Sequence, residues 1–325
     1  MGALDGKVAV VTGSGRGIGA GIAKLFAKEG AKVVVNDPGV NVDGSGGDAG
    51  PAQQVVDEIK AAGGTAVANM DSVADTAGGE NMVKQAVDTW GRIDILVNVA
   101  GILRDRMLFN MTQEEWDAVI AVHLKGHFNT VKPAAVLMRQ QRYGRIINFS
   151  STSGIIGNTG QFNYGAAKSA IAGLTRVLAK DLGRYGITSN AIAPGAATRM
   201  TQSVPDSARQ IRAQAGIQGA AAAQQQQESA YAGLREPGYV APMVAYLASD
   251  DAWNINGQVF NVSGGTVSLA HYPVAMRTVF KPGVWDMGEL DDAVQNVLMK
   301  DINNPAPPNA DVEVAGRDVP ARPLA

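Results

Sequence analysis

Three residues of this chain, Ser151, Tyr164 and Lys168, are of the types and spacing needed to move a proton to and from an alcohol. In NYGAAKSAIAGLTRVLAKDL, Ile171, Leu174, Leu178 and Leu182 recur at a helical period, which puts Tyr164 and Lys168 on one helix face, a turn apart. Free tyrosine titrates near pH ~10, so a phenol acting as base near neutrality needs its pKa lowered by about three units, roughly 4 kcal/mol. A unit positive charge at about 4.5 Å in an effective dielectric of about 20 supplies close to that amount. The expectation is that Lys168 is that charge. Ser151 follows the β-rich run IINFS, so its hydroxyl sits at a strand end and can hold a substrate oxygen beside the phenol. A Tyr and Lys so spaced also occur on the surface of ordinary amphipathic helices, so the assignment depends on the elements that position them.

Those elements read as alternating strands and helices. Residues 7–12 (KVAVVT) form a short continuous apolar run, as in a parallel strand buried on both faces. It enters GSGRGIG directly, where Gly13, Gly17 and Gly19, with Arg16 and Ile18 between them, open a helix packed through Ile22, Ala23, Leu25 and Phe26. Glycines there let the backbone approach a phosphate, and the exposed N–H groups at the helix start favour an anion. A second strand, 32–36 (KVVVN), ends at Asp37, where a dinucleotide fold places the carboxylate that bonds the adenosine ribose. At about 4 Å and an effective dielectric near 20, that carboxylate repels a 2′-phosphate by several kcal/mol, which favours NAD over NADP. Arg16 argues weakly the other way.

The glycine turn and the Tyr164/Lys168 pair together resemble the short-chain dehydrogenase/reductase family over about residues 4–265. Asp71, followed by Ser72, matches the family's adenine-binding Asp after the third strand. Asn98, Val99, Ala100 and Gly101 match its NNAG motif, with Val99 in place of the second Asn and one polar contact to the sheet lost. Pro194, Gly195 and Thr198 match the PGxxxT segment that closes over the nicotinamide. The resemblance implies an α/β fold: a single domain with a doubly wound, Rossmann-like parallel sheet of seven strands in the order 3-2-1-4-5-6-7. NAD would lie across the carboxyl ends of the strands, and Tyr164 and Lys168 would contact it too.

A closer likeness lies in VVVNDPGVNVDGSGGDAG, VANMDSV and GILRDR. These are similar to the (3R)-hydroxyacyl-CoA dehydrogenase regions of the peroxisomal multifunctional enzymes type 2, also called 17β-hydroxysteroid dehydrogenases type 4, and of bacterial relatives. That likeness implies a 3-hydroxyacyl-CoA or steroid-type substrate. Free 17β-hydroxysteroids, carrier-protein thioesters and a catalytically inactive regulatory protein remain alternatives. In the family an Asn in a VNL-like triplet holds a water that relays protons to the lysine. Here the triplet is VHL, and the resemblance makes His123 the substitute. His123 and His127 stand four residues apart, but HLKGH has no acidic residue and no third ligand in view, so no metal is expected.

A helix over about 112–140 carries Trp116, Val119, Ile120 and Leu124 at burial spacing; the family commonly pairs such helices, which implies a homodimer or homotetramer. From 199 to 236 the chain is rich in Ala and Gln and corresponds to the family's substrate lid. Arg199, Arg209, Arg212 and Arg235 are candidates for the CoA phosphates. Residues 266–325 are expected to form a C-terminal extension: a pocket cover, one helix through ELDDAVQNVLMKDI, and a Pro-rich tail.

Composition bounds the rest. The 325 residues are 46% hydrophobic, enough for a large core, and net charge is −2 with no basic stripe, so neither nucleic acid nor a membrane surface is an expected partner. No cysteine is present, which excludes disulfide and thiolate chemistry and suits a reducing compartment. The start, MGALDGKVAV, lacks a signal-peptide pattern, and no apolar run is long enough to span a membrane. The reading is a cytoplasmic enzyme acting on a small molecule.

Overall fold

A computed structural model of the chain describes residues 2–48, 50–195 and 236–306. Apolar runs without alternation make strands covered on both faces, and that is how the sheet is built. Strand β1 (Val8–Thr12) is buried throughout. Helix α1 (Gly17–Lys28), β2 (Lys32–Asn36), α2 (Gly50–Ala61), β3 (Thr65–Asn69), α3 (Thr76–Trp90) and β4 (Ile95–Asn98) complete the first half. The second half runs through α4 (Gln113–Ile120), α5 (Gly126–Gln141), β5 (Gly144–Phe149), the short α6 (Thr152–Ile155), α7 (Phe162–Leu182) and β6 (Ile187–Pro194). Helix α8 (Ala241–Ala248) and strands β7 (Val259–Ser263) and β8 (Thr266–Leu269) close it.

Strands β1 to β7 are parallel in the order 3-2-1-4-5-6-7, with β1 between β2 and β4. The sheet has eight strands rather than seven. Strand β8 pairs antiparallel with β7 across Gly264 and Gly265, with Gly264 at φ +55°, and extends the sheet past the expected boundary at 265. Every residue of β8 is exposed, so it carries none of the apolar pattern that marks the others.

Alternate strand residues feed two cores. Ala9, Val11, Val33 and Val35 face Ile22, Phe26, Val55, Ile59, Val244 and Leu247 on one side of the sheet. Val8, Val10, Val34 and Leu96 face Met82, Val83, Met138 and Ile187 on the other. The start of β1 is pinned by one buried carboxylate: Asp94 accepts from Val8 N–H at 2.9 Å and from Arg92 Nε and Nη2 at 3.0 and 2.7 Å. Asp94→Ala leaves a buried N–H and a guanidinium unpaired, and a loss of about 3 kcal/mol in urea unfolding is expected. A change under about 0.5 kcal/mol would show that the clamp contributes nothing.

The helix expected over 112–140 is divided. A capping box of Thr112 and Glu115 starts α4, but residues Ala121–Lys125 form a π turn before α5. Such a turn inserts one residue and rotates what it carries, which periodicity cannot show.

Residues 271–306 belong to a unit of their own. Its helix α9 (Met287–Ala293) begins at a capping box of Asp286 and Glu289 and runs into a π turn, Val294–Leu298, shorter than the helix expected to 302. Arg277 Nη1 donates to the carbonyls of Val297 and Leu298 at 3.0 and 3.2 Å.

Candidate active site

The crevice at the switch between β2 and β4 is floored by backbone. Gly13 is at φ +62°, and a Cβ there would lie 2.7 Å from Ala100 Cα. A Cβ on Gly15 would meet Asp37 Oδ2 at 2.8 Å, and one on Gly19 the Gly13 carbonyl at 2.3 Å. Gly17, at φ +55°, faces open space. Arg16 is the extended N-cap residue of α1 and gives no side-chain cap, so the first-turn N–H groups, from Gly17 and Ile18 onward, are left for an anion. Asp37 is held at the end of β2, its Oδ2 accepting from Gly15 N–H at 3.0 Å and its Oδ1 from Gly39 N–H at 2.7 Å. Asp71 accepts from Asn69 Nδ2 at 2.9 Å, and Ser72 Oγ from Ala74 N–H at 3.2 Å. Tight glycines below, an open helix start and a fixed carboxylate at the strand end fit a dinucleotide.

Asn98 serves the scaffold. Its amide donates to Asn148 Oδ1 at 3.1 Å and accepts from Thr130 Oγ1 at 2.8 Å, both buried. Thr12 Oγ1 accepts from the N–H groups of Val99 and Ala100 at 3.1 and 3.2 Å, so Val99 keeps its backbone tie to the sheet while its side chain joins the core. Pro194 ends β6, and Gly195 N–H donates to the Val262 carbonyl at 2.8 Å. Thr198, Arg199, Arg209, Arg212, Arg235 and the lid expected over 199–236, but for Glu236, lie outside the described residues, as does the tail from 307.

Helix α7 places Lys168 on its buried face with Tyr164 partly buried one turn before it, and Ser150 Oγ pins that helix to the end of β5 by donating to the Lys168 carbonyl at 2.8 Å. Asn163 ties the helix start to the neighbouring loop and α4, donating to the carbonyls of Arg104 and Glu115 at 3.0 Å each. Ser151 is the N-cap residue of α6, its Oγ accepting from Ser153 N–H at 3.2 Å, and its hydroxyl acts on the Tyr164 phenol, favouring its ionised form. Lys168 Nζ donates to the Phe149 carbonyl at 2.6 Å and lies 5.5 Å from the Tyr164 ring centre.

The electrostatics differ from the sequence expectation. Burial pushes the Tyr164 phenol up to about 12; the Ser151 hydrogen bond opposes this, and the Asp105 carboxylate adds to it. Burial alone holds the Lys168 ammonium down to about 7. Lys168 is therefore only about half charged at neutrality, and its ammonium is turned onto a carbonyl. It does not by itself lower the phenol, because both groups are desolvated together.

His123 sits on the π turn, edge-on to Tyr164 with ring centres 5.1 Å apart and planes at 87°. Its Nε2 lies 2.8 Å from the Ile102 carbonyl oxygen. Burial, and next the Lys168 charge, take its pKa well below the usual histidine value, so the ring is neutral. A Cβ on Gly101 would stand 2.3 Å from His123 Cε1, so the last glycine of the NVAG stretch is the imidazole's seat. Gly101→Ala is expected to destabilise the chain by about 1–3 kcal/mol through overpacking and to lower any activity; an unchanged Tm would show that the ring shifts freely.

Sequence reasoning missed Asp105, which acts on the phenol, and Gln161, which ties Asp105 Oδ2 and Ser153 Oγ together at 2.8 and 2.7 Å. Neither stands in a spacing pattern. His127 was weighed only as a metal ligand; among the described residues no group of three or more potential metal ligands converges.

A parallel doubly wound sheet with a glycine-floored crevice and a serine, tyrosine and lysine at its rim defines a dinucleotide-dependent dehydrogenase fold. Residues 7–209 match the short chain dehydrogenase family, and the chain belongs to it. Dehydrogenases of this family use nicotinamide dinucleotides. The chain is 43% identical over 267 residues to a peroxisomal hydratase-dehydrogenase-epimerase of Neurospora crassa, covering 82% of this chain and 27% of that protein. It is 42% identical over 300 residues to hydroxyacyl-CoA dehydrogenase ChsB1 of Mycobacterium tuberculosis, covering 88% and 87%. A crystal structure of a short chain dehydrogenase from Mycobacterium avium superposes with a TM-score of 0.77 at 44% identity, covering 95% of this chain and all of that one. The chain thus spans about a quarter of the Neurospora relative and most or all of the two mycobacterial ones.

Proposed function

We propose that this chain is an NAD-dependent dehydrogenase of 3-hydroxyacyl-CoA thioesters. The observation that carries the substrate class is the 42% identity to a hydroxyacyl-CoA dehydrogenase along 88% of the chain. A bound oxidised nicotinamide supplies the hydride acceptor and a positive ring charge. The glycine turn, Asp37, Asp71 and the 98–101 stretch hold the dinucleotide, with Tyr164 and Lys168 reaching its nicotinamide end. Ser151 holds the substrate oxygen, and Tyr164 Oη takes the hydroxyl proton as the carbonyl forms. Lys168, when protonated, stabilises the phenolate that Tyr164 must become. Free hydroxysteroids and carrier-protein thioesters are the rival substrates.

Initial rates side by side test this. A 3-hydroxyacyl-CoA is expected to have kcat/KM about tenfold or more above the matching free hydroxy acid or a free hydroxysteroid, with the advantage falling as salt rises. Equal rates with and without the CoA moiety would favour a hydroxysteroid dehydrogenase.

The preference for NAD rests on Asp37, whose carboxylate at about 4 Å from a 2′-phosphate repels it by several kcal/mol. Asp37→Ser is expected to narrow the NAD over NADP ratio of kcat/KM at least tenfold; a wild type that prefers NADP would overturn the argument. Exposed Phe128 and Val136 on α5 and Phe162 and Val177 on α7 support a homodimer or homotetramer through those helices. Among the described residues no helix is long and apolar enough to cross a membrane. The absence of cysteine supports a cytoplasmic, reducing location.

A further inference from the structure

The glycine-rich insert after Asp37, residues 38–48, has no part in the chemistry described so far, yet it is tightly folded and held at both ends. At its neck Asp48 N–H donates to the Pro38 carbonyl at 3.2 Å, and a Cβ on Gly39 would stand 1.7 Å from the Asp48 carbonyl oxygen, so only glycine fits there. Its tip is a closed turn. Asn41 N–H donates to the Ser45 carbonyl at 2.8 Å and Gly44 N–H to the Asn41 carbonyl at 3.0 Å. Asp43 Oδ1 accepts from the N–H and hydroxyl of Ser45 at 2.9 and 2.7 Å. Pinched ends and internal hydrogen bonds make this an ordered Ω-shaped loop rather than a slack one.

The neck belongs to the cofactor crevice, because Asp37 accepts from Gly39 N–H through Oδ1 and from Gly15 N–H, in the glycine turn, through Oδ2. A carboxylate has about four lone-pair sites, so about two stay open for ribose hydroxyls. The tip is bonded to the stretch 102–104 instead. The Val42 carbonyl accepts from Leu103 N–H at 2.8 Å and the Asp43 carbonyl from Arg104 Nε at 2.9 Å, while a Cβ on Gly44 would meet Ile102 Cδ1 at 3.1 Å. That stretch in turn holds the surroundings of Tyr164. The Ile102 carbonyl lies 2.8 Å from His123 Nε2, and the Arg104 carbonyl accepts from Asn163 Nδ2 at 3.0 Å. Asn163 Oδ1 accepts from the Tyr164 N–H at 2.7 Å. From Asp37 to the Tyr164 backbone the path is therefore continuous, through the loop and four successive ties.

We propose that residues 38–48 are a strap that couples the ribose site at Asp37 to the placement of Tyr164, so that dinucleotide binding orders the substrate side of the crevice. This rests on the dehydrogenase reading above. A ribose bound to Asp37 fixes Gly39 and the strap's neck; the tip then holds 102–104, and Asn163 holds the start of α7. Order imposed by the first ligand need not be imposed again by the second, so the second binds more tightly, and by linkage each strengthens the other by the same factor.

Continuity alone is not coupling, which is measured directly. Hydrogen exchange reads it without turnover. In wild type, NAD is expected to slow exchange about tenfold in the glycine turn, 13–19, and also across 102–105 and 163–165. Two variants cut the strap and leave Asp37 in place. One deletes residues 40–47 and joins the neck residues Gly39 and Asp48; the other is Gly44→Val, a branched side chain at φ +87° pressed against Ile102. In both, NAD is expected still to slow 13–19 but to leave 102–105 and 163–165 unchanged. A purely structural loop would lower Tm in both variants and leave the effect of NAD on 163–165 intact, which overturns the proposal. Binding gives the second readout. Acetoacetyl-CoA, a 3-oxoacyl thioester that oxidised NAD cannot turn over, is expected to bind wild type about tenfold tighter with NAD than without, and either variant within about twofold. Binding to wild type that is indifferent to NAD overturns the proposal as well. A chain that shows the exchange pattern but binds no acetoacetyl-CoA refutes the acyl-CoA reading and leaves the strap in place. Protection of 13–19 by neither NAD nor NADP refutes both.

Discussion

Tyr164→Phe lowers kcat about a thousandfold, while dinucleotide affinity stays within about threefold and Tm within a few degrees. The phenol is partly buried beside Ser151, so removal of its hydroxyl withdraws the Ser151 interaction and leaves the ring packed edge-on to His123. Because the phenol stands at about 12 before cofactor and substrate arrive, wild type itself holds little phenolate at pH 7. The positive charge of a bound nicotinamide and a protonated Lys168 would help ionise the phenol, and both would do so at the Tyr164 oxygen. Phe has no such oxygen, so neither can compensate. The measurement is kcat on a 3-hydroxyacyl-CoA with NAD, with dinucleotide binding followed by fluorescence. Retention of more than a few per cent of wild-type kcat would rule out the phenol as the base and make Ser151 the group to test next.

The strands and the glycine turn were legible because a parallel strand and a phosphate-facing turn both leave strong local marks: an unbroken apolar run, and glycines where a Cβ would strike backbone; the order of the strands came from the resemblance to the family, since an apolar run does not say which strand it pairs with. Asp37 could be placed for the same reason, since it ends a strand whose partner is fixed. The π turn at Ala121–Lys125 was not legible. The residues on either side keep a helical period, and a single inserted residue changes only what faces inward. It is that insertion which turns His123 toward Tyr164 and seats it on Gly101. Strand β8 was missed because it is exposed on every residue, and Asp105 because its effect on Tyr164 is made by packing between segments about sixty residues apart. The electrostatic sign was missed for a related reason. Lys168 activates the phenol only as a charged lysine, and charge depends on burial, which spacing along a helix does not contain.

Lys168→Met therefore gives an inactive chain that is more stable than wild type at neutral pH. The fall of the lysine from 10.5 to about 7 on folding means that the unfolded chain binds the extra proton more tightly than the native one. Between about pH 7 and 10.5 the unfolded state holds more protons, so wild-type stability rises with pH across that window. Below about 7 the lysine is charged in both states and the full penalty is present, at most about 5 kcal/mol for 3.5 units at 1.36 kcal/mol each. Met removes that penalty but leaves the Phe149 carbonyl without its donor, a loss of about 1–2 kcal/mol. The net gain expected from urea unfolding is about 3 kcal/mol at pH 6.5, shrinking to nothing by about pH 10, while kcat falls at least a hundredfold. A stability difference that does not change with pH would mean that Lys168 titrates normally in the native chain. In that case the charge proposed to act on Tyr164 is present at all times. A gain that fades with rising pH means instead that this fold keeps an ammonium where water would hold it better, beside the one phenol whose ionisation that charge assists.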